Sequence, residues 1–171
     1  MKSLILGGAR SGKSRHAQTL AEATAMPVHF IATATAQDAE MQTRIARHRA
    51  ERPVHWHTHE EPRHLAAVLQ THARAEHCLI VDCLSLWLSN LLVDEACLQR
   101  EKDALLKVLP TLPGRIILVS NETGLGVVPL GALTRRFVDE SGWLHQTLAS
   151  HCDEVIMTVA GLPLHLKGSN T

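Results

Sequence analysis

Short apolar runs alternate with longer amphipathic stretches along the 171 residues of the chain. Residues 79–81 and 116–119 are continuously apolar, which is typical of strands buried on both faces of a sheet. The pattern predicts strands at 3–6, 28–32, 54–57, 78–82, 115–120, 154–160 and 162–166. Apolar residues that recur every three or four positions predict helices at 13–25, 38–51, 63–75, 84–96, 98–109 and 130–151.

This alternation predicts an α/β fold, in which helices cover both faces of a mostly parallel sheet. The hydrophobic content of 45% fits one domain over residues 1–171, without repeats or linkers. A formal net charge of zero argues against nucleic acid as a partner, and no apolar run approaches the ~20 residues of a membrane span. Four cysteines without C-x-x-C spacing, and no room for a signal peptide, predict a cytoplasmic protein with reduced thiols.

Residues 7–14 read GGARSGKS, which matches the phosphate-loop pattern G-x-x-x-x-G-K-[ST]. The match follows the first predicted strand and opens the first predicted helix, as the motif requires. Inward-facing N–H groups and the positive end of the helix dipole would bind a nucleoside triphosphate. Lys13 would reach the outer phosphates and Ser14 would hold Mg²⁺. The alternative is a Gly-rich turn without a ligand. The predicted loop contacts are Gly7, Gly8, Ala9, Arg10, Ser11, Gly12, Lys13 and Ser14.

Asp82 ends the apolar run 78–81, at the edge where the phosphate loop is expected. A carboxylate at the end of a buried strand beside such a loop is the Walker B arrangement, which holds Mg²⁺ directly or through water. The same residue could instead cap the helix that begins near Leu84.

The segment 38–53 is strongly basic, with His48 among Arg44, Arg47, Arg49 and Arg52. Arginines of this density could bind a triphosphate, and their charge would keep the imidazole neutral. A neutral imidazole can attack phosphorus and form a phosphoramidate. A solvated basic helix with an incidental histidine is the alternative, and the residues alone favour it.

Three histidines alternate at positions 55, 57 and 59, which would place them on one strand face. This is metal-ligand spacing in principle, but no fourth ligand is evident, so a polar strand face is the preferred interpretation. Glu60 could accept hydrogen bonds from a ribose or a base. The Gly-rich loop 121–126 could close over a substrate or form a simple turn.

Taken together, the motifs resemble those of the bifunctional cobinamide kinase / cobinamide-phosphate guanylyltransferases of cobalamin biosynthesis. The resemblance runs nearly end to end and rests on residues 7–15, Glu40, Met41, Arg44, Ile45, His48, Arg52, Pro53, 82–92, Asn121, Glu122, Gly124, Gly126, Pro129, 161–164 and Lys167. It implies a RecA-like P-loop fold, a homotrimer and two reactions on one chain. ATP or GTP would phosphorylate adenosylcobinamide, and GMP from GTP would then pass through an enzyme histidine to give adenosylcobinamide-GDP and pyrophosphate.

The resemblance implies that His48 is the guanylylated residue, with Lys13 and Asp82 as further catalytic groups. Arg47 stands where some relatives have a second histidine, and His145 stands where the family pattern often has Asn. Beyond the phosphate loop, the implied nucleotide contacts are Ala32, Thr33, Ala34, Arg49, Ala50, Glu51, Arg52, Glu60 and Asp82.

Three other functions are compatible with parts of the sequence. A small-molecule P-loop kinase would form no covalent nucleotide intermediate. A nucleotide-switched binding module would change shape without transfer. A histidine-rich metal protein would hold stoichiometric transition metal. The sequence leaves open whether ATP or GTP serves the kinase step, because base recognition depends on a few loop contacts.

Overall fold

A computed structural model describes residues 1–35, 38–50 and 52–168, and the side chains of Arg44, Arg47 and His48 lie outside the described part. The strands are β1 Lys2–Gly7, β2 Val28–Ala32, β3 His57–Glu60, β4 Cys78–Asp82, β5 Arg115–Asn121, β6 Glu154–Val159 and β7 Leu162–Lys167. The helices are α1 Lys13–Glu22, α2 Ala39–Ala50, α3 Leu65–His72, α4 Leu84–Leu91, α5 Glu95–Val108 and α6 Ala132–His151, with a 3-10 turn at Leu109–Thr111.

The seven strands form one sheet in the order β3-β2-β4-β5-β1-β6-β7. Every neighbouring pair is parallel except β6 and β7. Helices cover both faces, so the predicted α/β architecture with a mostly parallel sheet is confirmed. The continuous apolar runs of β4 and β5 are buried on both sides, as their sequences predict.

Each face of the sheet has its own hydrophobic cluster. The larger cluster packs residues of α3, α4, α5 and α6 around the fully buried Trp87. The smaller cluster packs α1 against Phe30 and Trp56. None of the described helices is both long and apolar enough to cross a bilayer.

Several predicted boundaries were wrong by two or more residues, and two of them have a clear local cause. The third strand begins at His57, not at 54, because Trp56 N donates to Pro53 O at 3.1 Å and closes a turn there. His55 therefore lies outside the strand and does not share a strand face with His57 and His59. The break between α4 and α5 falls at 92–94, because Asp94 Oδ1 accepts from Cys97 N at 3.1 Å and caps α5.

The strand register gathers the carboxyl ends of the parallel strands at one edge. Ala32 pairs with Glu60 on one side and with Asp82 on the other. Gly7 pairs with Asn121 and with Thr158. Because ligands of open parallel sheets bind outside the carboxyl ends of the strands, this edge is where a substrate site is expected.

Candidate functional site

The phosphate loop joins β1 to α1 through backbone angles that need glycine. Gly12 is the N-cap of α1 with φ 97°. Gly7 packs so closely that a Cβ there would lie 2.8 Å from Thr158 O. A side chain at either position would strain or displace the loop, which explains why the motif requires glycine at both.

Lys13 extends back over the loop in the first turn of α1. It is only 8% exposed, and its Nζ donates to Gly8 O at 3.1 Å. Ser14 follows it and is half-buried. The ammonium group therefore lies beside the N–H groups that the motif provides for phosphate. A phosphate oxygen would replace a neutral carbonyl as its partner, and a hydrogen bond between two opposite charges is stronger than one to a neutral acceptor.

The end of β2 is fastened to the end of β4 by Thr33. Its hydroxyl donates to Cys83 O at 2.7 Å and accepts from Cys83 N at 3.0 Å. Asn90 Nδ2 donates to Thr33 O at 2.9 Å and to Pro62 O at 3.1 Å. Thr33 is fully buried, and its polar groups position the strand ends beside the half-buried Ala34. The predicted nucleotide contacts of Ala32, Thr33 and Ala34 stay predictions.

Asp82 stands half-buried at the end of β4. Cys83, not Asp82, occupies the N-cap position of α4, so the structure does not support the capping alternative. Burial chiefly raises the pKa of the Cys83 thiol to about 11; Asp82 raises it further, while Lys13 lowers it. Both charges therefore act on the thiol at the end of β4, and Lys13 and Asp82 lie at the same part of the sheet edge.

The carboxyl end of α2 and the residues after it add positive charge to this edge. Arg49 Nη2 donates to Glu60 Oε1 at 3.0 Å, and both side chains are more than half exposed. The Arg52 guanidinium stacks 3.8 Å from the centre of the Phe30 ring. Burial lowers the pKa of Arg52, while Asp82 opposes that shift. Arg49, Arg52, Glu60 and Asp82 are thus brought together.

The backbone of α2 that carries His48 follows the carboxyl end of β2. Gln42, Ile45, Ala46, Arg49 and Ala50 line an open concavity along one face of this helix. Glu51 and the side chain of His48 lie outside the described residues. The predicted roles of His48, Ala50 and Glu51 therefore stay predictions.

A buried polar network at the end of β5 escaped the sequence analysis. His145 Nε2 lies 2.7 Å from Ser120 Oγ, and Ser120 Oγ lies 3.2 Å from Ser85 Oγ. Ser85 Oγ accepts from Asn121 N at 2.7 Å. Burial lowers the pKa of His145, and Glu122, whose Oε2 lies 3.9 Å from Nδ1, opposes that shift. The signal was the histidine at a position where the family pattern often has Asn.

Comparison with known proteins assigns the chain to a family. The model of the family described as cobinamide kinase / cobinamide phosphate guanyltransferase matches residues 3–166. The chain is 63% identical over 170 residues to the bifunctional adenosylcobalamin biosynthesis protein CobP of Pseudomonas aeruginosa, covering 98% of each chain. It is 36% identical over 182 residues to CobU of Salmonella typhimurium, covering 98% of this chain and all of the relative.

One solved structure supports the fold alone. A protein from Pyrococcus horikoshii OT3 superimposes with a TM-score of 0.55 over 98% of this chain and 86% of that chain, at 11% identity. The sequence matches, by contrast, extend over nearly the whole of both chains and include the phosphate loop and the basic helix. The chain therefore belongs to the cobinamide kinase / cobinamide phosphate guanyltransferase family.

Proposed function

We propose that this chain carries both activities named for its family. It phosphorylates the aminopropanol hydroxyl of adenosylcobinamide with ATP or GTP, and then transfers GMP from GTP to the resulting phosphate. The observation that carries the proposal is the convergence of the phosphate loop, Lys13, Asp82 and Arg52 on one edge of the sheet. A phosphoryl-transfer site needs mainly positioning and neutralisation of phosphate charge, and these groups supply both.

In the kinase step, the loop N–H groups and Lys13 bind and orient the triphosphate. Ser14 and Asp82 offer hydroxyl and carboxylate oxygens, which are hard donors of the kind Mg²⁺ prefers. Asp82 fits this role because it is half-buried, is not the N-cap of α4 and lies at the end of β4. Mg²⁺ bound there supplies further neutralisation of the phosphate oxygens.

In the guanylyl step, an imidazole nitrogen of His48 attacks the α-phosphorus of GTP. A P–N bond forms, the bond from that phosphorus to the bridging oxygen breaks, and pyrophosphate leaves. An oxygen of adenosylcobinamide phosphate then attacks the same phosphorus, the P–N bond breaks, and adenosylcobinamide-GDP forms. Arg49 and Arg52 contribute positive charge that favours the neutral imidazole and the anionic substrate.

The chain is further proposed to work in the cytoplasm as a homotrimer on a corrinoid substrate. The assembly is supported by apolar side chains exposed on the edge strand β7, where Leu162, Leu164 and Leu166 are each more than half exposed. Contiguous exposed apolar side chains of this kind mark protein–protein interaction surfaces. The cytoplasmic location is supported by the four free thiols.

The test is incubation with GTP labelled at the α-phosphate. Wild type is expected to acquire an acid-labile, alkali-stable label that is absent from His48→Ala, while the variant still phosphorylates adenosylcobinamide. His55→Ala is the matched control, because His55 is exposed and lies outside the strand, and it should label normally. Labelling of folded His48→Ala, or equal loss of both activities, contradicts the assignment. A kinase without a covalent intermediate would leave every variant unlabelled.

A further inference from the structure

Five histidines from separate parts of the chain gather on one face of the sheet. The His29 ring centroid lies 5.0 Å from that of His57, 5.3 Å from that of His59, 5.0 Å from that of His72 and 4.7 Å from that of His77. The rings of His59 and His72 stack at 3.9 Å. β2, β3, α3 and the turn before β4 therefore all contribute to one cluster of imidazole rings.

The fold explains why these rings meet. β2 and β3 are parallel neighbours, and His29 pairs directly with His57 in their register. The crossover helix α3 runs back from β3 toward the start of β4, which brings His72 at its last position to the early part of β2. His77 Nδ1 lies 2.9 Å from His72 O, which joins the turn before β4 to the end of the helix.

We propose that His29, His59 and His72 form a binding site for a borderline transition-metal dication such as Zn²⁺. One ring nitrogen from each residue lies within 4.8 Å of the other two. Zinc–nitrogen bonds of about 2.0–2.1 Å in tetrahedral geometry place ligand atoms about 3.3 Å apart. His29 Nδ1 and His59 Nε2 are already 3.0 Å apart, close to that spacing, and His72 offers the third nitrogen. All three side chains are half-buried.

The donor set selects the class of metal. Imidazole nitrogens suit Zn²⁺, Co²⁺, Ni²⁺ and Cu²⁺, whereas Mg²⁺ and Ca²⁺ prefer oxygen. Burial lowers the pKa of His29 to about 4, with the neighbouring histidines adding to the shift, so the unliganded ring is neutral near pH 7. In the His29–His59 hydrogen bond one nitrogen carries the proton. That ring must move its proton to its other nitrogen before both lone pairs face a metal, which leaves the net charge of the rings unchanged.

The cluster and the proposed nucleotide site lie on different faces of these strands. His29 precedes Ala32 by three residues along β2, roughly 10 Å of strand, and His59 directly precedes Glu60 in β3, so the side chains of His59 and Glu60 point to opposite faces of the sheet. A metal held by His29, His59 and His72 would join β2, β3 and α3, so its effect is expected on stability before activity. Arg74 opposes binding, because its positive charge acts on His72 and repels a dication.

The experiment titrates the untagged, chelator-treated full chain with Co²⁺, followed by Zn²⁺ competition in equilibrium dialysis. We expect one equivalent of Co²⁺ to bind with the strong visible bands of a four- or five-coordinate site and without thiolate charge-transfer absorption. His59→Gln and His72→Gln should each weaken binding at least 10-fold, whereas Arg74→Gln should strengthen it. His151→Gln is the matched control, because His151 is exposed at the end of α6, and it should bind as wild type does.

Several outcomes overturn the proposal. The metal site is contradicted if His72→Gln binds Co²⁺ as tightly as wild type does. It is also contradicted if the bound Co²⁺ shows thiolate absorption from a cysteine site, or if wild type binds Co²⁺ only weakly at its surface. Circular dichroism of each variant establishes folding, and His72 at a helix end is the substitution least able to disturb the sheet. The titration uses no nucleotide, so its result is independent of the labelling of His48.

Discussion

The two ends of β2 and β3 carry opposite kinds of polar chemistry. At their carboxyl ends, Ala32 pairs with Glu60, which binds Arg49, while Asp82 and Arg52 stand alongside. Before those last residues, the same strands carry His29, His57 and His59, and His72 of α3 stacks on His59. One end is built from full charges and hard oxygen donors, and the other from neutral nitrogen donors.

This contrast shows how one sheet can separate two ligand chemistries. Charged groups at the carboxyl edge favour phosphate and Mg²⁺, which bind through electrostatics and oxygen coordination. Neutral rings on the sheet face exclude those ligands and favour borderline metals. Substitutions at the carboxyl edge should therefore change the transfer rates but not metal affinity, and substitutions in the histidine cluster should change metal affinity but not the transfer rates.

The largest effect is expected from Lys13→Ala. Loss of its ammonium removes a charge-assisted contact to the phosphates, and both transfer rates should fall by about 10²–10³-fold or more. Steady-state assays of the kinase and guanylyl steps measure this. Lys107→Ala, an exposed lysine on α5, is the control. Co²⁺ binding by Lys13→Ala should equal that of wild type, and a weaker titration would break the separation between the two ends.

The converse test uses His72→Gln. Co²⁺ affinity should fall at least 10-fold, because one of three proposed ligands is lost, while both transfer rates stay within about twofold of wild type. Parallel metal titrations and assays of one preparation measure both quantities. A matching fall in guanylyl transfer, with the variant folded, would show that the two ends are coupled.

A smaller effect is expected from Glu60→Gln. If Glu60 accepts hydrogen bonds from the ribose or base, its neutral isostere should raise the KM for GTP by about 3–10-fold with little change in kcat. Stability should change by less than about 1 kcal/mol, because the Arg49–Glu60 pair is exposed. Glu76→Gln, at an exposed position before β4, serves as the control. An unchanged KM would remove Glu60 from the nucleotide contacts.

The smallest effect concerns pH. Burial lowers the pKa of His145, so the unfolded chain binds more protons than the folded chain below about pH 6.5. The contribution of neutral His145 to stability is therefore lost as pH falls from about 6.5 toward its folded pKa. His145→Asn keeps a partner for Ser120 but does not titrate. Denaturant unfolding at several pH values measures the free energy of unfolding, which should fall less steeply below about pH 6.5 for the variant than for wild type. An equally steep fall in both proteins would show that His145 does not cause this pH dependence.

The sequence by itself determined the local features of this protein. The phosphate loop depends on glycines whose backbone angles are set within a few residues, and its context of β1 and α1 follows from hydrophobic periodicity. The buried runs of β4 and β5 predicted the parallel sheet, and the motifs predicted the family, which the comparisons confirmed. The runs and motifs that indicate these features consist of adjacent residues, so they can be recognised without knowledge of the tertiary structure.

The tertiary structure alone decided which distant residues meet. The Thr33–Cys83 hydrogen bonds, the Ser120–His145 network and the His29–His59–His72 cluster each join residues at least 25 positions apart in some pair. These contacts depend on the register between neighbouring strands, on the direction of the helical crossovers and on the turn that makes β3 begin at His57. Sequence periodicity indicates which residues of a strand face the core, but which strands become neighbours across a helical crossover, and at which residues they pair, depends on packing of the whole sheet.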